Sequence, residues 1–348
     1  MTYSSTWRSP SNIALVKYWG KHKLQLPRNP SISFTLSACY TEMTLRVTPE
    51  AASPGIEVLY DGKPRPSFAP KIESFFALVQ NQFPWLISAS VVIDSTNTFP
   101  HSAGIASSAS AMSALALCLM DIHHQRNNLP LPLDQNWFQE VSEIARLGSG
   151  SASRSVFPNA AIWGESSAVA GSSDLYAISW ERQIAPFYKS YHDTILIVST
   201  EEKSVSSSQG HALMETLPYA ATRYEQAHRH LELLCGHMRH EEEVNQFISI
   251  VESEALQLHA LMMSGNKPFI LMEPNTIALI KEIWRFRKET GLPVCFTLDA
   301  GPNVHLLYPD GISASVLDWV RNTLTDYCTK GEYILDRVGS GPQKRPVV

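Results

Sequence analysis

The stretch FPHSAGIASSASAMSALALCL, Phe99–Leu119, runs from a turn rich in small residues directly into an apolar helix pattern. If the helix begins near Ile105, the backbone N–H groups of its first turn lack partners within the helix. The first turns carry Ala106, Ser107, Ser108 and Ala109. Gly104 lets the backbone approach a ligand closely, the serine hydroxyls add donors, and the helix dipole favours negative charge. The stretch therefore predicts a polyphosphate site, although a plain serine-capped helix start has the same residues.

The composition limits the class of protein. A chain of 348 residues is long enough for two domains that share a cleft, or for one large α/β domain. Its formal net charge of −5 gives no general attraction to nucleic acid or to an anionic membrane, so phosphate binding must come from a local site. Residues 1–11 contain no apolar signal core, and the run Ala109–Met120 is too short and too rich in serine to cross a bilayer. Five dispersed cysteines without a CxxC pair predict buried, reduced thiols and hence a cytoplasmic protein: Cys39, Cys118, Cys235, Cys295 and Cys328.

Hydrophobic periodicity predicts an α+β chain around the phosphate stretch. The strand pattern Asn12–Trp19 contains one lysine, Lys17, which faces inward or ends the strand. The run SASVVI, Ser88–Ile93, predicts a buried strand that feeds the turn and helix of the phosphate stretch. Further strands are predicted at residues 31–37, 42–48, 56–60, 160–163, 175–180, 194–199, 294–298, 305–308 and 333–335. Helices are predicted at residues 70–83, 134–148, 275–290 and 313–327, with Asp134 as the N-cap of the second, and a series of helices is predicted over 205–263. A domain boundary is predicted near residues 183–192.

Two further stretches carry candidate chemistry. In GSGSASRS, Gly148–Ser155, three serines alternate with small residues before Arg154, whose planar fork suits a carboxylate or phosphate. A flexible serine-glycine loop with a surface arginine is the alternative. In TLDAGPN, Thr297–Asn303, Asp299 ends a strand before a Gly-Pro turn, which is where a base or a metal ligand would be held rigidly. An ordinary turn-capping aspartate is the alternative for that position.

Several familiar signatures are absent from the sequence. It has no GxxxxGK[ST], GxGxxG, GxSxG or HExxH, so a Walker-type NTPase, a Rossmann dehydrogenase, an α/β-hydrolase and a zincin lack their usual residues. The histidines His228, His230, His237 and His240 lie close to Cys235, but their spacing matches no metal-ligand pattern. We therefore predict that these histidines occupy a solvated helix face.

Four stretches together resemble the mevalonate diphosphate decarboxylase family of the GHMP kinase superfamily. They are NIALVKYWGK (Asn12–Lys21), FPHSAGIASSASA (Phe99–Ala111), RLGSGSASRS (Arg146–Ser155) and TLDAGPN (Thr297–Asn303), with a weaker fifth match in EKSVSSSQGH (Glu202–His211). They follow the family's order over nearly the whole chain, and KYWGK with GSGSASRS is specific to the decarboxylases. The resemblance implies an α+β, two-domain GHMP kinase fold, with an N-terminal domain of the ribosomal-protein-S5-domain-2 type at residues 1–187. A C-terminal GHMP-type α/β sandwich at residues 188–348 completes it, and the active site lies in the cleft between the two.

The resemblance also implies a reaction. It is the ATP- and Mg²⁺-dependent decarboxylation of (R)-5-diphosphomevalonate to isopentenyl diphosphate in the mevalonate pathway, with ADP, phosphate and CO₂ as co-products. The family commonly forms a homodimer, and we expect no nucleic-acid or membrane partner. Decarboxylation of 5-phosphomevalonate and phosphorylation of the 3-hydroxyl of mevalonate stay open as alternatives on the same fold. A non-catalytic ligand sensor and a structural protein are more distant alternatives.

The resemblance assigns roles to the motif residues. Asp299 would orient or deprotonate the 3-hydroxyl, Lys17 would offset negative charge beside it, and Arg154 would hold the substrate carboxylate. Ser151 and Ser153 would line the same pocket. The substrate diphosphate would be bound by Tyr18, Lys21 and Ser149. The nucleotide would be bound by Asn97, Ser102, Gly104, Ala106, Ser107, Ser108, Ala109, Ser206 and Ser207, with Ser108 also near Mg²⁺.

The chain departs from the family pattern without losing a proposed catalytic group. His22-Lys23 replaces an acidic residue that usually follows KYWGK, Ser208 stands where some bacterial members have a phosphate-binding arginine, and His211 replaces a usual methionine. These departures leave open whether the 5-position of the substrate carries a diphosphate or a monophosphate.

Overall fold

The computed structural model describes residues 1–100, 105–201 and 207–346, with the backbone alone at 207–209. The strands of this part of the chain are β1 (Tyr3–Val16), β2 (Ser31–Thr48), β3 (Gly55–Tyr60), β4 (Lys63–Pro64), β5 (Ser90–Asn97), β6 (Ala160–Trp163), β7 (Ala177–Ser179), β8 (His192–Leu196), β9 (Cys295–Leu298), β10 (Val304–Tyr308), β11 (Tyr333–Arg337) and β12 (Gln343–Arg345). The helices are α1 (Ala69–Val79), α2 (Ser107–Arg126), α3 (Gln135–Gly148), α4 (Pro186–Lys189), α5 (Ser207–Leu213), α6 (Ala220–His237), α7 (Val244–Met263), α8 (Pro274–Thr290) and α9 (Ser313–Asn322).

The strands form two sheets. The larger sheet has the order β12-β1-β2-β5-β3-β4, and β6 and β7 extend it from one half of β2. Its pairs are antiparallel except for β3 with β5. The smaller sheet has the order β11-β8-β10-β9 and is antiparallel throughout. The chain makes a hairpin at Asp61-Gly62, across which β3 pairs with β4.

The strand β2 is continuous, where the sequence predicts two strands. Its first half pairs with β6 and its second half with β5, so the strand changes partners near Ser37. At that point the carboxylate of Asp336, on β11, accepts hydrogen bonds from the backbone N–H groups of Ser37, Ala38 and Cys39 at 2.7–2.8 Å. A side chain nearly 300 residues away in sequence thus replaces the ladder bonds at the junction, which local pattern cannot reveal.

Three of the four apolar cores among the described residues explain how most of the helices pack. The first core lies between the large sheet and α1, α2 and α3, and α2 is buried on most of its faces, as expected for a central helix. The second core joins β1 and β2 to α6, α7 and the small sheet, with Leu15, Leu231 and Leu307 among its members. The third core lies between the small sheet and α8 and α9. The second core therefore fixes the end of β1 against α7, which is where the candidate site lies.

Some predicted elements need correction. The first strand begins at Tyr3 and ends at Val16, so Lys17 lies immediately beyond it. The stretch after Gly148 is a buried 3₁₀ turn, Gly150–Val156, so the alternative of a flexible loop with a surface arginine is wrong. The helix α9 ends at Asn322, and a separate 3₁₀ turn follows at Leu324–Tyr327.

The cysteines match their prediction. All five are free and buried, and burial raises the pKa of each thiol well above its ordinary value. They therefore stay protonated and unreactive. Among the helices described, none is long and apolar enough to cross a membrane.

Candidate active site

A cavity of about 340 Å³ lies where the end of β1, the start of α2 and the Gly150–Val156 turn face α5, α7 and the loop after β9. It is lined by four cationic side chains and one carboxylate, which are Lys17, Lys21, Lys71, Arg154 and Asp299. The protein as a whole carries a net charge of −5, so this cavity is a local concentration of positive charge. Such a wall suits an anionic ligand with several charges.

Lys17 and Asp299 form an ion pair in this cavity. The Lys17 Nζ lies 3.6 Å from the Asp299 Oδ1 and donates a hydrogen bond of 2.6 Å to the carbonyl of Ala14. Lys17 is 2% exposed, whereas the Asp299 side chain is 23% exposed and faces the cavity. Burial lowers the pKa of Lys17, and the nearby charges of Asp299 and Glu254 partly oppose that shift.

A buried carboxylate fixes the backbone of Lys17. Glu254, on α7, is fully buried and accepts a hydrogen bond of 2.8 Å from the Lys17 N–H. The Arg223 guanidinium binds both oxygens of Glu254 at 2.6 and 2.9 Å, and it also donates to the Lys17 carbonyl at 3.3 Å. His230 Nδ1 donates to the same carboxylate at 2.6 Å. Desolvation would raise the pKa of Glu254, but Arg223, His230 and the Lys17 N–H outweigh it and lower that pKa.

The same helix fixes the loop that carries Asp299. His259, five residues beyond Glu254 on α7, donates from Nε2 to the Asp299 carbonyl at 3.1 Å. The N–H of Gly301 donates to that carbonyl at 2.7 Å, which closes the turn after β9. Helix α7 therefore holds both members of the Lys17–Asp299 pair through their backbones.

Arg154 is a buried cation without a carboxylate partner within the described chain. It is 2% exposed, and its guanidinium donates to Ser33 Oγ at 3.1 Å, Ser31 Oγ at 2.5 Å and Asn12 Oδ1 at 3.3 Å. Burial lowers its pKa to about 10, and the charge of Asp299 opposes that shift. Because neutral partners orient the fork but leave its charge unbalanced, the cavity in front of Arg154 favours an anion.

The serines of the GSGSASRS stretch divide into two groups. Ser149 and Ser151 line the cavity, and Ser149 Oγ lies 3.3 Å from Ser108 Oγ across it. Ser153 lies elsewhere: it is fully buried, and its hydroxyl donates to the Gly150 carbonyl at 2.7 Å. The prediction that Ser153 lines the pocket needs correction, because in this 3₁₀ turn its side chain points into the protein.

The phosphate stretch is only partly within the described chain. Ala106 precedes α2 in the left-handed conformation, with φ 46°, and lines the cavity together with Ser108. Ser107 and Ser108 are the first two helical residues, so their N–H groups have no partner within the helix. The Ala109 N–H donates to the Ala106 carbonyl at 2.8 Å, and the Ala109 side chain is buried. Contrary to the expectation from the sequence, the Ala109 N–H is therefore not a free donor for a phosphate. Ser102, Gly104, Ser206 and the side chain of Ser207 lie outside the described residues.

Tyr18 and Lys21 also line the cavity. The Tyr18 hydroxyl is buried and has no hydrogen-bond partner among the described residues, and burial raises its pKa. Burial lowers the pKa of Lys21, whose ammonium donates to Gln25 Oε1 at 2.9 Å. Asn97 does not reach this cavity: it lies at the end of β5, and its Oδ1 accepts a hydrogen bond of 2.8 Å from Thr41.

The sequence patterns missed several residues around the cavity. Lys71 lies on α1, far from any motif, and its pKa is lowered by desolvation and by the charge of Lys21. In the sequence, Glu254 looks like an ordinary exposed acidic residue of a helix. It does interrupt an apolar run, and this interruption is the one feature of the sequence that could have indicated a buried carboxylate. His230 was predicted on a solvated face and instead binds this carboxylate with 13% of its side chain exposed. No group of three or more potential metal ligands occurs among the described residues.

The fold and this cavity together define a two-domain enzyme of the GHMP kinase superfamily. A model for the diphosphomevalonate decarboxylase-like N-terminal domain matches residues 9–177, and a model for the mevalonate 5-diphosphate decarboxylase C-terminal domain matches residues 194–343. The chain belongs to the diphosphomevalonate decarboxylase family.

Individual relatives agree with this assignment. The diphosphomevalonate decarboxylase of Aspergillus fumigatus is 30% identical over 344 residues, covering 92% of this chain and 81% of the relative. The crystal structure of mevalonate diphosphate decarboxylase from Staphylococcus aureus is similar at a TM-score of 0.84 and 25% identity, covering 99% of each chain. A structure described as MDDEF in complex with MVAPP, AMPPCP and magnesium is similar at a TM-score of 0.82 and 26% identity, covering both chains completely.

Proposed function

We propose that this chain catalyses the ATP-dependent decarboxylation of (R)-5-diphosphomevalonate to isopentenyl diphosphate, with release of ADP, phosphate and CO₂. The observation that supports the proposal is that one cavity holds the Lys17–Asp299 ion pair, with 3.6 Å between Nζ and Oδ1, together with Arg154, a buried cation without a carboxylate partner in the described chain. A base, a balancing cation and a carboxylate-binding fork are the groups that this reaction needs.

The first step is phosphorylation of the substrate. The tertiary 3-hydroxyl is a poor leaving group, so its oxygen attacks the terminal phosphorus of ATP and ADP departs. Asp299 orients this hydroxyl and accepts its proton, because its carboxylate is the one that faces the cavity. Lys17 balances the negative charge that gathers there. Positioning and electrostatic stabilisation supply most of the rate in such a transfer, which is why the rigid attachment of both residues to α7 matters.

The second step removes the new phosphate and the carboxylate. The C3–O bond breaks and the pair of electrons leaves with phosphate, so positive charge develops at C3. The bond between C2 and the carboxylate then supplies the electrons of the C2–C3 double bond, and CO₂ is released. Arg154 binds the carboxylate through its fork and sets the orientation of that bond, and Ser151 lies beside it on the cavity wall.

The phosphate groups have separate binding residues. Tyr18, Lys21 and Ser149 bind the substrate diphosphate, and the Tyr18 hydroxyl, which has no partner among the described residues, supplies a donor for a phosphate oxygen. The ATP phosphates bind at the start of α2, where Ala106, Ser107 and Ser108 present backbone and hydroxyl donors, and the resemblance assigns Gly104 to the same nucleotide site. The resemblance assigns Ser206 and Ser207 to the same phosphates. The resemblance also assigns Asn97 and Ala109 to the nucleotide; Asn97 accepts a hydrogen bond from Thr41, and the Ala109 N–H donates to the Ala106 carbonyl.

The residues at the start of α2 fit a magnesium ion that binds together with ATP. Within the described chain no three acidic, histidine or cysteine side chains converge, so an all-protein cage is absent there. Mg²⁺ usually keeps one or two protein ligands and completes its shell with phosphate oxygens and water. The exposed Ser108 hydroxyl at the start of α2 fits this arrangement. Bound magnesium neutralises phosphate charge during the transfer.

We further propose the domain bounds, the oligomeric state and the cellular compartment of the enzyme. Residues 1–187 form the N-terminal domain and 188–348 the C-terminal domain, and the family-model matches at 9–177 and 194–343 support a division between them. The enzyme is a cytoplasmic homodimer: five buried, unpaired cysteines favour a reducing compartment, and the family resemblance favours the dimer. Light scattering of the purified protein tests the dimer.

The reaction is tested by measuring ADP and trapped CO₂ with Mg²⁺ and ATP on three substrates: mevalonate, 5-phosphomevalonate and 5-diphosphomevalonate. ADP and CO₂ in equal amounts from the diphosphate alone support the proposal. Preference for 5-phosphomevalonate would assign the monophosphate decarboxylase. ADP without CO₂ would assign a 3-kinase, and no turnover with intact ligand binding would assign a sensor.

A further inference from the structure

His211 has an unusual position in the cavity wall. It lies on α5, is 9% exposed, and lines the cavity. Its ring packs against the rings of Tyr18 and Trp19, with centroid distances of 4.4 and 4.8 Å. A side chain at the preceding Gly210 would place its Cβ 2.4 Å from the Trp19 ring, so α5 is pressed closely against this segment. The orientation of His211 is therefore fixed by packing.

One hydrogen bond determines where the proton of His211 lies. The N–H of Gly20 donates to His211 Nδ1 at 3.0 Å, so Nδ1 is an acceptor and carries no proton. In a neutral imidazole the proton must then be on Nε2, which becomes a donor. Burial, with a smaller contribution from the charge of Lys21, lowers the pKa of His211 to about 3, so the ring is neutral near pH 7. In the described chain, Nε2 has no hydrogen-bond partner.

We propose that His211 binds the phosphate end of the substrate, donating a hydrogen bond from Nε2–H to a phosphate oxygen. This inference rests on the proposed function, because Tyr18 and Lys21, the two neighbours of His211 in the cavity, are the residues that bind the substrate diphosphate there. His211 thereby adds a neutral, rigidly oriented donor beside Lys21 and Tyr18, whose hydroxyl lacks a partner within the part of the chain that the structure describes.

A neutral donor has a specific advantage at this position. A third cation beside Lys21 and Lys71 would raise the electrostatic cost of the empty cavity, whereas a neutral N–H adds a directed bond without charge. The bond to an ionised phosphate is stronger than one between neutral groups. His211 is thus a determinant of affinity for the substrate, with no part in phosphoryl transfer or decarboxylation.

Three variants separate the two nitrogen atoms of His211. His211→Asn places an amide oxygen near the position of Nδ1 and retains the acceptor for Gly20, but it does not reach the position of Nε2. His211→Gln reaches that position with an amide N–H and loses the acceptor. His211→Phe keeps the ring contacts and loses both. We expect the KM for 5-diphosphomevalonate to rise about tenfold or more in His211→Asn and His211→Phe, with a smaller rise in His211→Gln and an unchanged KM for ATP.

Direct binding supplies the second measurement. Calorimetric titration of each variant with 5-diphosphomevalonate, without nucleotide, should show the same ranking, and thermal unfolding identifies any variant that fails to fold. In the wild-type protein, the Nε2 proton of His211 should shift and become protected from exchange in the NMR spectrum when the substrate is added, a test that needs no variant.

The outcomes are distinct. If His211→Asn binds the substrate like the wild type and His211→Gln does not, His211 only supports the Gly20 backbone and the inference is wrong. If the wild-type protein fails to decarboxylate 5-diphosphomevalonate, the proposed function itself is wrong. Normal turnover in the wild type with equal substrate affinity in all variants overturns the inference alone.

Discussion

Replacement of Arg154 by lysine tests the carboxylate-binding role most sharply. The guanidinium is held by Ser31, Ser33 and Asn12, all neutral, so its fork is oriented while its charge is left for the substrate. A fork makes two charge-assisted bonds to a carboxylate, and an ammonium makes one. Each such bond contributes about 1.5–3 kcal/mol, so Arg154→Lys should lower kcat/KM by roughly 10- to 150-fold.

The assay combines kinetics with a binding comparison. We would measure kcat/KM by ADP release and, separately, the affinity for 3-hydroxy-3-methylbutyl diphosphate, an analogue that lacks the carboxylate. The variant should lose affinity for the substrate and keep its affinity for the analogue. Arg287→Lys is the matched control, because Arg287 binds Glu252 and the Val294 carbonyl outside the cavity. A loss below about tenfold in a folded variant, or an equal loss with the analogue, would refute the reasoning.

Three further predictions concern the surroundings of the reacting groups. Since burial lowers the pKa of Lys17, kcat should fall with rising pH at values below the ordinary lysine pKa of 10.5, and this alkaline limb should disappear in Lys17→Arg; an unchanged limb in that variant would exclude Lys17 as its source. Glu254→Gln leaves the buried Arg223 charge unbalanced and should reduce the free energy of unfolding by about 3–5 kcal/mol in urea titration; a change within error would mean that the ion pair stabilises little. The pKa of His211 is about 3 in the folded protein and returns to its ordinary value near 6.5 on unfolding, so the unfolded chain binds a proton more readily and the free energy of unfolding should decline as pH falls from 6.5 toward 3. His211→Phe should reduce that decline when melting is measured as a function of pH. An identical decline in the variant would contradict the argument that burial lowers this pKa.

The sequence predicted most of the residues that line the cavity, but not the residues that hold them in position. Lys17, Ser149, Ser151, Arg154 and Asp299 stand in stretches whose residue types are unusual for their context, and the structure brings them together in one cavity. Ser153 has the same spacing as its neighbours, but the three-residue period of a 3₁₀ turn puts Ser151 and Arg154 on one face and Ser153 on another, which alternation alone could not indicate.

The supporting residues could not be predicted in the same way. Glu254 and Lys17 are separated by 237 residues in the sequence, so no local pattern links them. On an amphipathic helix, a buried carboxylate with distant partners has the same sequence appearance as a solvated one. The continuity of β2 could not be predicted for a similar reason. The carboxylate that accepts hydrogen bonds from the backbone N–H groups at its centre belongs to Asp336, near the other end of the sequence.

Replacement of Asp299 by asparagine tests the central claim most directly. The change removes the base and its charge with little change in volume, so ATP binding should persist while ADP and CO₂ release from 5-diphosphomevalonate is abolished. Asp310→Asn is the control, since Asp310 pairs with His192 at 2.8 Å and does not line the cavity. Loss of both products in Asp299→Asn, with normal nucleotide affinity and an active control, is the predicted result. Near-normal release of ADP and CO₂ by Asp299→Asn would contradict the account.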